Sequence, residues 1–176
     1  MTSGIDVDVN WKSQPTSWGV FGADLNGTWT DRYDETLPDG TVQASVGKTT
    51  DAEGNQLNAV AAGGIIFKWR HSLTGTWKYG AYSLALTQNY QSGYKDAPRA
   101  DAEDATPQKV KAFQTFDLQG AYTGVKGLTF RLGVKNLTNH QPPQITGLGQ
   151  YFQIGYDPSY YDPHGRFVYS SATYKF

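Results

Sequence analysis

The chain of 176 residues carries a formal net charge of −1 and contains no cysteine. A nearly neutral chain gives no general reason to expect nucleic acid or another polyanion as a partner. The absence of cysteine excludes disulfides, thiolate metal sites and cysteine nucleophiles. Aromatic residues reach 14%, charged residues only 18%, and there are 20 glycines, a mixture that favours strands and turns over helices.

Apolar and polar residues alternate along the first two predicted strands. In GIDVDVNWK, the apolar residues fall at positions 5, 7, 9 and 11, and polar residues lie between them. Because successive side chains of a strand point to opposite faces, this pattern predicts a strand with one apolar and one polar face. Segment 21–29 has the same design. The apolar positions of the two strands are Ile5, Val7, Val9, Trp11, Phe21, Ala23, Leu25 and Trp29.

Five further segments alternate in the same way, so the sequence predicts about seven strands and no convincing helix. Their apolar positions are Ile65, Phe67, Trp69 and Leu73; Tyr82, Leu84 and Leu86; Phe116, Leu118 and Tyr122; Leu128, Phe130, Leu132 and Val134; and Val168, Ala172, Tyr174 and Phe176. No stretch approaches the roughly 20 apolar residues that a membrane-spanning helix needs.

The connections between the predicted strands alternate in length. Short turns are predicted at SQPT, TGT and TGVKG, and long polar loops at about residues 35–62, 96–111 and 139–164. This order predicts an antiparallel up-and-down sheet with tight turns at one end and large loops at the other. Transmembrane β-barrels show that asymmetry.

Aromatic residues gather near the predicted strand ends, as in the interfacial girdles of membrane barrels. They are Trp11, Trp29, Tyr82, Tyr90, Tyr122, Tyr174 and Phe176. The polar face carries mixed charge, which suits a wet lumen and suits the outside of a soluble protein equally well. Its charged residues are Asp6, Asp8, Lys12, Asp24, Lys68, Arg70, Asp117, Arg131 and Lys135.

The sequence contains no convincing match to a known catalytic or metal-binding motif. DVDVN has the spacing of a calcium loop but lacks its glycine and its later glutamate, so its side chains are expected simply to share the polar face. His71, His140 and His164 are scattered without metal-ligand spacing. The glycosylation matches at Asn26 and Asn136 lie at or inside strands. We therefore predict no catalytic residue, no metal site and no cofactor.

The loop GYDPSYYDPHGR contains the most specific candidate for ligand binding. Its tyrosines and aspartates offer an aromatic, hydrogen-bonding surface, and the alternative is a structured loop whose tyrosines pack on one another. The candidate residues are Tyr156, Asp157, Tyr160, Tyr161 and Asp162.

The last third of the chain resembles the C-terminal end of TonB-dependent outer-membrane receptors. The resemblance lies in TFRLGVKNLTNHQPP, with Asn136 and Leu137, and in GYDPSYYDPHGRFVYSSATYKF, with Gly165 and Arg166 and the final Tyr-x-Phe. The opening TSGIDVDVNWK resembles an inner barrel strand of these receptors. The family takes up scarce nutrients such as ferric siderophores, cobalamin or saccharides.

The resemblance implies a Gram-negative outer-membrane receptor and not an enzyme. Implied partners are outer-membrane lipid, an unknown small ligand, the barrel-assembly machinery reading Tyr174 and Phe176, and, for a full-length receptor only, the TonB complex. These receptors are barrels of about 22 strands with a plugged lumen. Residues 1–176 are therefore interpreted as the C-terminal part of such a barrel, lacking the plug and the earlier strands. No export signal is recognised after Met1.

Two other interpretations remain open. A self-contained small outer-membrane barrel needs an eighth strand, for which YFQIGY and TVQASV are the candidates. A soluble β-barrel that binds a ligand would instead pack its apolar faces inside.

Overall fold

The computed structural model describes residues 1–98, 107–145 and 155–176. Within those residues the chain forms ten strands and one helix of six residues. The elements are β1 (Thr2–Lys12), β2 (Val20–Thr36), β3 (Val42–Ala44), α1 (Asn58–Gly63), β4 (Trp69–Tyr79), β5 (Tyr82–Gln91), β6 (Tyr94–Asp96), β7 (Gln108–Val110), β8 (Phe113–Val125), β9 (Leu128–Lys135) and β10 (Phe167–Tyr174).

Seven long strands form one antiparallel sheet in the order β1-β2-β4-β5-β8-β9-β10. Each long strand pairs with the next long strand along the chain, so the predicted up-and-down topology of about seven strands is confirmed. β3 adds three residues to β2, and β6 pairs with β7 in a separate ribbon. In the described residues β1 and β10 form the two open edges of the sheet.

The register brings apolar positions of neighbouring strands opposite one another. Leu25 of β2 faces Val9 of β1 on one side and Leu73 of β4 on the other, and Leu86 of β5 faces Leu118 of β8. Because a slip of one residue would reverse every side chain, this register keeps a single apolar face across the whole sheet. The opposite face carries the polar residues.

Three sequence-based predictions are wrong. TGT is not a turn, because Gly75 lies inside β4 between Ala23 of β2 and Leu86 of β5; the chain turns at Gly80 and residue 81 instead. Gly80 has a φ of 55°, which glycine adopts readily. A short helix, α1, lies in the first long loop, where no helix was predicted. Ile65 and Phe67 were predicted as strand residues, but both lie in the loop that precedes β4.

The hydrophobic core lies in the loops, and the sheet itself buries little. We call it the loop cluster: Ile65, Phe67, Tyr94, Val110, Ile145 and Tyr161, with Phe113, Tyr156 and Tyr160 packed against it. The apolar sheet face, in contrast, stays open: Leu132 is 60% exposed and Val168 is 59% exposed. A contiguous apolar surface of this kind marks contact with a membrane or a partner. It also argues against the soluble-barrel interpretation, which requires these side chains inside.

The two edge strands run in the same direction. Thr2 of β1 pairs with Tyr33 near the long loops, and Lys12 pairs with Gly22 near a short turn. β10 likewise runs from Phe167 at the loop end to Tyr174 at the turn end. Two edges that run the same way cannot pair with each other in an antiparallel ladder.

β3 falls within TVQASV, one candidate for an eighth strand. Its three residues are fewer than the about nine that a transmembrane strand needs. The other candidate, YFQIGY, lies mostly outside the described residues. No helix in the described part of the chain has the length and apolarity to cross a membrane.

Candidate functional site

A cavity of about 950 Å³ lies at the loop end of the polar sheet face. We call it the loop-side cavity. Its floor is made of polar side chains from β2, β4, β5, β8 and β9, and its roof comes from the last long loop. The residues used below are, from the floor, Arg70, Ser72, Asn89, Asp117 and Lys135, and, from the roof, Tyr160, Asp162 and His164.

A hydrogen-bonded row crosses the floor. The Ser72 hydroxyl donates to Asn89 Oδ1 at 3.3 Å, and Asn89 Nδ2 donates to Asp117 Oδ2 at 3.2 Å. The other Asp117 oxygen accepts the backbone N–H of Asn136 at 2.8 Å. These contacts join three neighbouring strands to the start of the last loop, so the floor is held in a fixed arrangement before a ligand arrives.

Two cations, Arg70 and Lys135, face the cavity without a carboxylate in ion-pairing distance among the described residues. The Arg70 guanidinium lies 5.6 Å from the centre of the Phe67 ring, a cation–π contact that holds it beneath the loop cluster. An arginine held in this way keeps its hydrogen-bond donors available for an anionic group.

The roof is tied to the sheet through Tyr160. Its backbone carbonyl accepts a hydrogen bond from Gln91 Nε2 at 3.5 Å, and its phenolic oxygen accepts the Ile65 N–H at 2.6 Å. Burial raises the pKa of Tyr160 above its usual value, so the hydroxyl stays neutral. Beside it, the backbone N–H of His164 donates to Asp162 at 2.9 Å and lowers the pKa of that carboxyl.

The structure separates the five predicted ligand-binding residues. Tyr160 and Asp162 line the loop-side cavity. Tyr161 is buried at 2% exposure within the loop cluster, and Tyr156 packs against that cluster. Asp157 is 5% exposed, and its carboxylate accepts the backbone N–H of Ser159 at 2.8 Å. The packing alternative therefore describes Tyr156 and Tyr161, whereas ligand binding by Tyr160 and Asp162 stays a prediction.

The residues that carried the family resemblance meet in one junction. Asn136 closes its own turn: its side chain donates to the His140 carbonyl and accepts the His140 N–H, both at 2.9 Å. Three residues on, Asn139 Oδ1 accepts the backbone N–H of Arg166 at 3.0 Å. A Cβ on Gly165 would lie only 2.6 Å from that Asn139 oxygen, so glycine is required there.

Other singled-out residues occupy structural positions. The aspartates of DVDVN bond across to β2, where Thr28 donates to Asp6 at 2.7 Å and Asn26 donates to Asp8 at 3.1 Å. At the chain end, the Lys175 N–H donates to the Gly127 carbonyl at 2.7 Å and continues the β9–β10 pairing past the last strand residue.

Sequence reasoning listed Arg70, Asp117 and Lys135 as polar-face charges but did not place them in a site. Asn89 was not considered for a site, and His164 was considered only as a metal ligand, for which the histidine spacing is wrong. The position in the sequence was the available signal for this site, because Arg70, Asp117 and Lys135 lie towards the ends of their strands that adjoin the long polar loops. Their convergence depends on the register of five strands, which alternation does not fix.

The sequence profile described as "TonB dependent receptor-like, beta-barrel" matches residues 1–137. The chain belongs to the TonB-dependent receptor β-barrel family. The family is one of receptors and transporters, and the known architecture of its barrels relates the two sheet faces to lipid and lumen. In transmembrane β-barrels the apolar face contacts lipid, the inner face is polar and the long loops lie on the extracellular side.

The fold is similar to the crystal structure of the siderophore receptor PiuA from Acinetobacter baumannii. The TM-score is 0.55 at 13% sequence identity, with 98% of this chain covered. The match spans 21% of the PiuA chain, so this chain corresponds to about a fifth of that receptor. No curated protein sequence matches the chain.

Proposed function

We propose that this chain forms the C-terminal part of the barrel wall, and three extracellular loops, of a receptor for TonB-dependent nutrient uptake across a Gram-negative outer membrane. The observation that carries the proposal is the loop-side cavity, which lies on the luminal face directly beneath the extracellular loops. A ligand arriving from outside meets this cavity first. Its polar groups are also tied to the barrel by hydrogen bonds to neighbouring strands.

The charges of the cavity favour an anionic ligand over a neutral saccharide. Arg70 and Lys135 are exposed and free of ion pairs in the described residues, and cations of this kind offer charge-assisted hydrogen bonds to anionic oxygen atoms. The Tyr160 ring adds an aromatic surface with a polar tip. A ferric siderophore combines negative charge with coordinating oxygens, and PiuA is a siderophore receptor. We therefore propose a ferric siderophore as the ligand class.

The remaining strands of the barrel must come from outside this sheet. Because β1 and β10 run the same way, closing an antiparallel barrel takes an odd number of further strands. We propose that residues 1–176 are the last strands of a larger barrel whose lumen holds a plug domain. The TonB complex is then a partner of the complete receptor, and Tyr174 and Phe176 are the residues that the barrel-assembly machinery reads.

Ligand binding to the complete receptor in detergent tests the proposal. A panel of ferric siderophores is titrated and binding is followed by tryptophan fluorescence quenching. Arg70→Gln and Lys135→Gln are each expected to weaken binding of the recognised siderophore about tenfold, as for a lost charge-assisted hydrogen bond of about 1.5 kcal/mol.

The matched control is Lys78→Gln. Lys78 also lies on β4, close to the turn end of the strand and away from the loop-side cavity. This variant should bind as the wild type does. Equal affinity in all three variants, or preferential binding of a neutral saccharide, would contradict the proposed ligand class.

A cold-versus-heated gel shift of the isolated chain distinguishes the interpretations of the fold. The chain is diluted from urea into detergent micelles and, separately, into buffer. We expect no compact species in either, because two open edges leave backbone groups unpaired. A compact, heat-sensitive band only in detergent would favour a small self-contained barrel, and a compact species in buffer would favour a soluble protein.

A further inference from the structure

Two buried carboxylates lie in the loops without a cationic partner. Asp96, the last residue of β6, is fully buried, and Asp157 in the last long loop is 5% exposed. Within the described residues neither carboxylate forms an ion pair with a lysine, an arginine or a histidine. Removing an unpaired carboxylate from water is unfavourable, so buried charges in proteins are paired or bind a metal ion. In the described residues these two aspartates lack such a counter-charge.

The lysines of the β6–β7 ribbon point away from Asp96. Successive residues of a strand face opposite sides, so Lys95 lies on the outer side of β6, where it is exposed. Lys48 and Lys109 pair with Lys95 on the two adjoining segments and share that outer side. On the inner side, Thr49 donates its hydroxyl to Asp96 Oδ1 at 2.7 Å. Asp96 Oδ2 is equally buried and has no hydrogen-bond partner in the described part of the chain.

Two tyrosine hydroxyls near Asp96 are unpaired as well. Tyr94 is 3% exposed and Tyr161 is 2% exposed, and among the described residues neither hydroxyl has a partner in hydrogen-bonding geometry. Burial raises the pKa of Tyr94, and the neighbouring Tyr161 and Asp96 raise it further. Asp157 acts on the pKa of Tyr94 in the same direction, so these groups share one neighbourhood. Buried oxygen atoms without partners are rare, and each calls for a bound ion or water.

Three loop segments hold these oxygen atoms in position. Thr49 comes from the first long loop, β6 leads into the second, and Tyr161 belongs to the last. Ring packing orients the tyrosines: Tyr94 meets Phe67 edge-to-face at 5.9 Å between centroids, and Tyr161 meets Phe113 in the same way at 5.2 Å. The oxygen atoms are therefore pre-organised, and a ligand bound between them would tie the three loops together.

We propose that these loops bind one calcium ion at Asp96, through its free carboxylate oxygen and the hydroxyls of Tyr94 and Tyr161. Every candidate ligand is an oxygen atom, which calcium prefers, whereas zinc and copper favour nitrogen and sulfur. The two carboxylates, Asp96 and Asp157, match the charge of a divalent cation. Magnesium demands a nearly ideal octahedron and gives up its water reluctantly, which suits a cage of fixed protein groups less well.

The calcium site is separate from the site of the proposed function. Asp96, Tyr94 and Tyr161 do not line the loop-side cavity. No three acidic or histidine side chains converge in the part of the chain that the structure describes, so backbone carbonyls and water would complete the roughly 6–8 ligands that calcium takes. The sequence shows no sign of this site, because Asp96 and Asp157 lie in different loops and form no motif.

Calcium binding by the complete receptor in detergent tests the proposal. Wild type, Asp96→Asn and Asp39→Asn are freed of metal with a chelator and titrated with calcium chloride in a calorimeter. Asp39 is the matched control, since it is an exposed aspartate of the first long loop and accepts the Thr41 N–H of its own turn. Asp96→Asn is expected to bind one calcium ion fewer than the wild type, and Asp39→Asn the same number.

Limited proteolysis of the loops gives a second measurement. Calcium should slow cleavage of the wild type and of Asp39→Asn several-fold and leave Asp96→Asn unchanged. Without calcium, Asp96→Asn should resist the protease better than the wild type, because it no longer buries an unpaired charge.

Three results would overturn the inference: equal calcium binding in wild type and Asp96→Asn, wild-type cleavage that calcium does not slow, or equal protection by magnesium or sodium chloride. If Asp96→Asn fails to assemble, the wild type alone decides. Terbium(III), which takes the place of calcium, should luminesce when the nearby tyrosines are excited, and calcium should displace it; the absence of displaceable emission overturns the inference. Siderophore binding by the chelator-treated wild type tests the proposed function separately.

Discussion

The phenolic oxygen of Tyr160 accepts a hydrogen bond of 2.6 Å from the backbone N–H of Ile65, a residue 95 positions earlier in the chain. This bond joins the first long loop to the last, beside the edge-to-face contact of the Phe67 and Tyr160 rings at 5.3 Å. Gly64, with a φ of 98°, makes the approach possible, because a Cβ at that position would collide with the Tyr160 hydroxyl. The roof of the loop-side cavity therefore depends on the loop that follows β3.

Tyr160→Phe is expected to loosen the roof. The change removes the acceptor and leaves the N–H of the buried Ile65 unpaired, at a local cost of about 1–3 kcal/mol. Hydrogen exchange at Ile65 in the complete receptor should accelerate, while exchange in β4 and β5 stays as it is. Tyr156→Phe makes the same chemical change on another ring against the loop cluster and serves as control. Unchanged exchange in Tyr160→Phe would show that the bond does not hold the loops together.

The loop cluster should open at high pH. Burial raises the pKa of Tyr161 from 10.0 to about 12, and burial likewise raises the pKa of Tyr94. Since the folded pKa lies above the unfolded one, the stabilisation is fully present below about pH 10 and is lost as the pH rises through about 12. Tyrosinate absorbance together with loop proteolysis across this range checks the prediction. Opening of the loops at neutral pH, or full protease resistance above pH 12, would be inconsistent with it.

Two strand glycines should respond oppositely to valine. Gly133 of β9 pairs with Tyr169 of β10, and a Cβ there would collide with the tyrosine ring. Gly75 of β4 has no atom within 4 Å of a built Cβ and lies on the lipid-facing side. Gly133→Val is expected to destabilise the receptor by about 1–3 kcal/mol through overpacking, and Gly75→Val to be neutral or stabilising.

Urea unfolding of the complete receptor in detergent measures both glycine variants. Tyr169→Ala supplies a further check, since it removes the ring with which the valine collides and should partly relieve the cost in the double variant. The pairing of aromatic ring and glycine would be unimportant if both valine variants had the same midpoint as the wild type.

Asn139→Ala should release the start of β10. It removes the acceptor of the Arg166 N–H and places alanine at a φ of 54°, which together cost about 2 kcal/mol. Asn139→Gly restores the backbone freedom without the acceptor and should recover only part of the loss. The measurement is the assembled fraction by heat-modifiable gel mobility. Wild-type assembly in both variants would show that the Asn139–Arg166 hydrogen bond is not needed for barrel assembly.

The sequence alone determined the seven-strand sheet, its faces and its family. Alternation with a period of two assigns each side chain to a face wherever the strand is regular, and the register confirms those faces for the paired apolar positions. The alternation of short turns and long loops predicted the up-and-down order of the strands. The turn after β4 was misplaced because Gly75 looks like a turn residue, although it is a strand glycine on an open face.

Only the tertiary structure decided which loop residues meet and which face the cavity. Tyr160 and Tyr161 are neighbours of the same residue type, yet one faces the loop-side cavity and the other is buried in the loop cluster. The division follows from contacts with residues far away in the chain, such as Ile65 and Tyr94. Local pattern carries no information about such contacts, because loops have no period and their packing is set by the strands that bring them together.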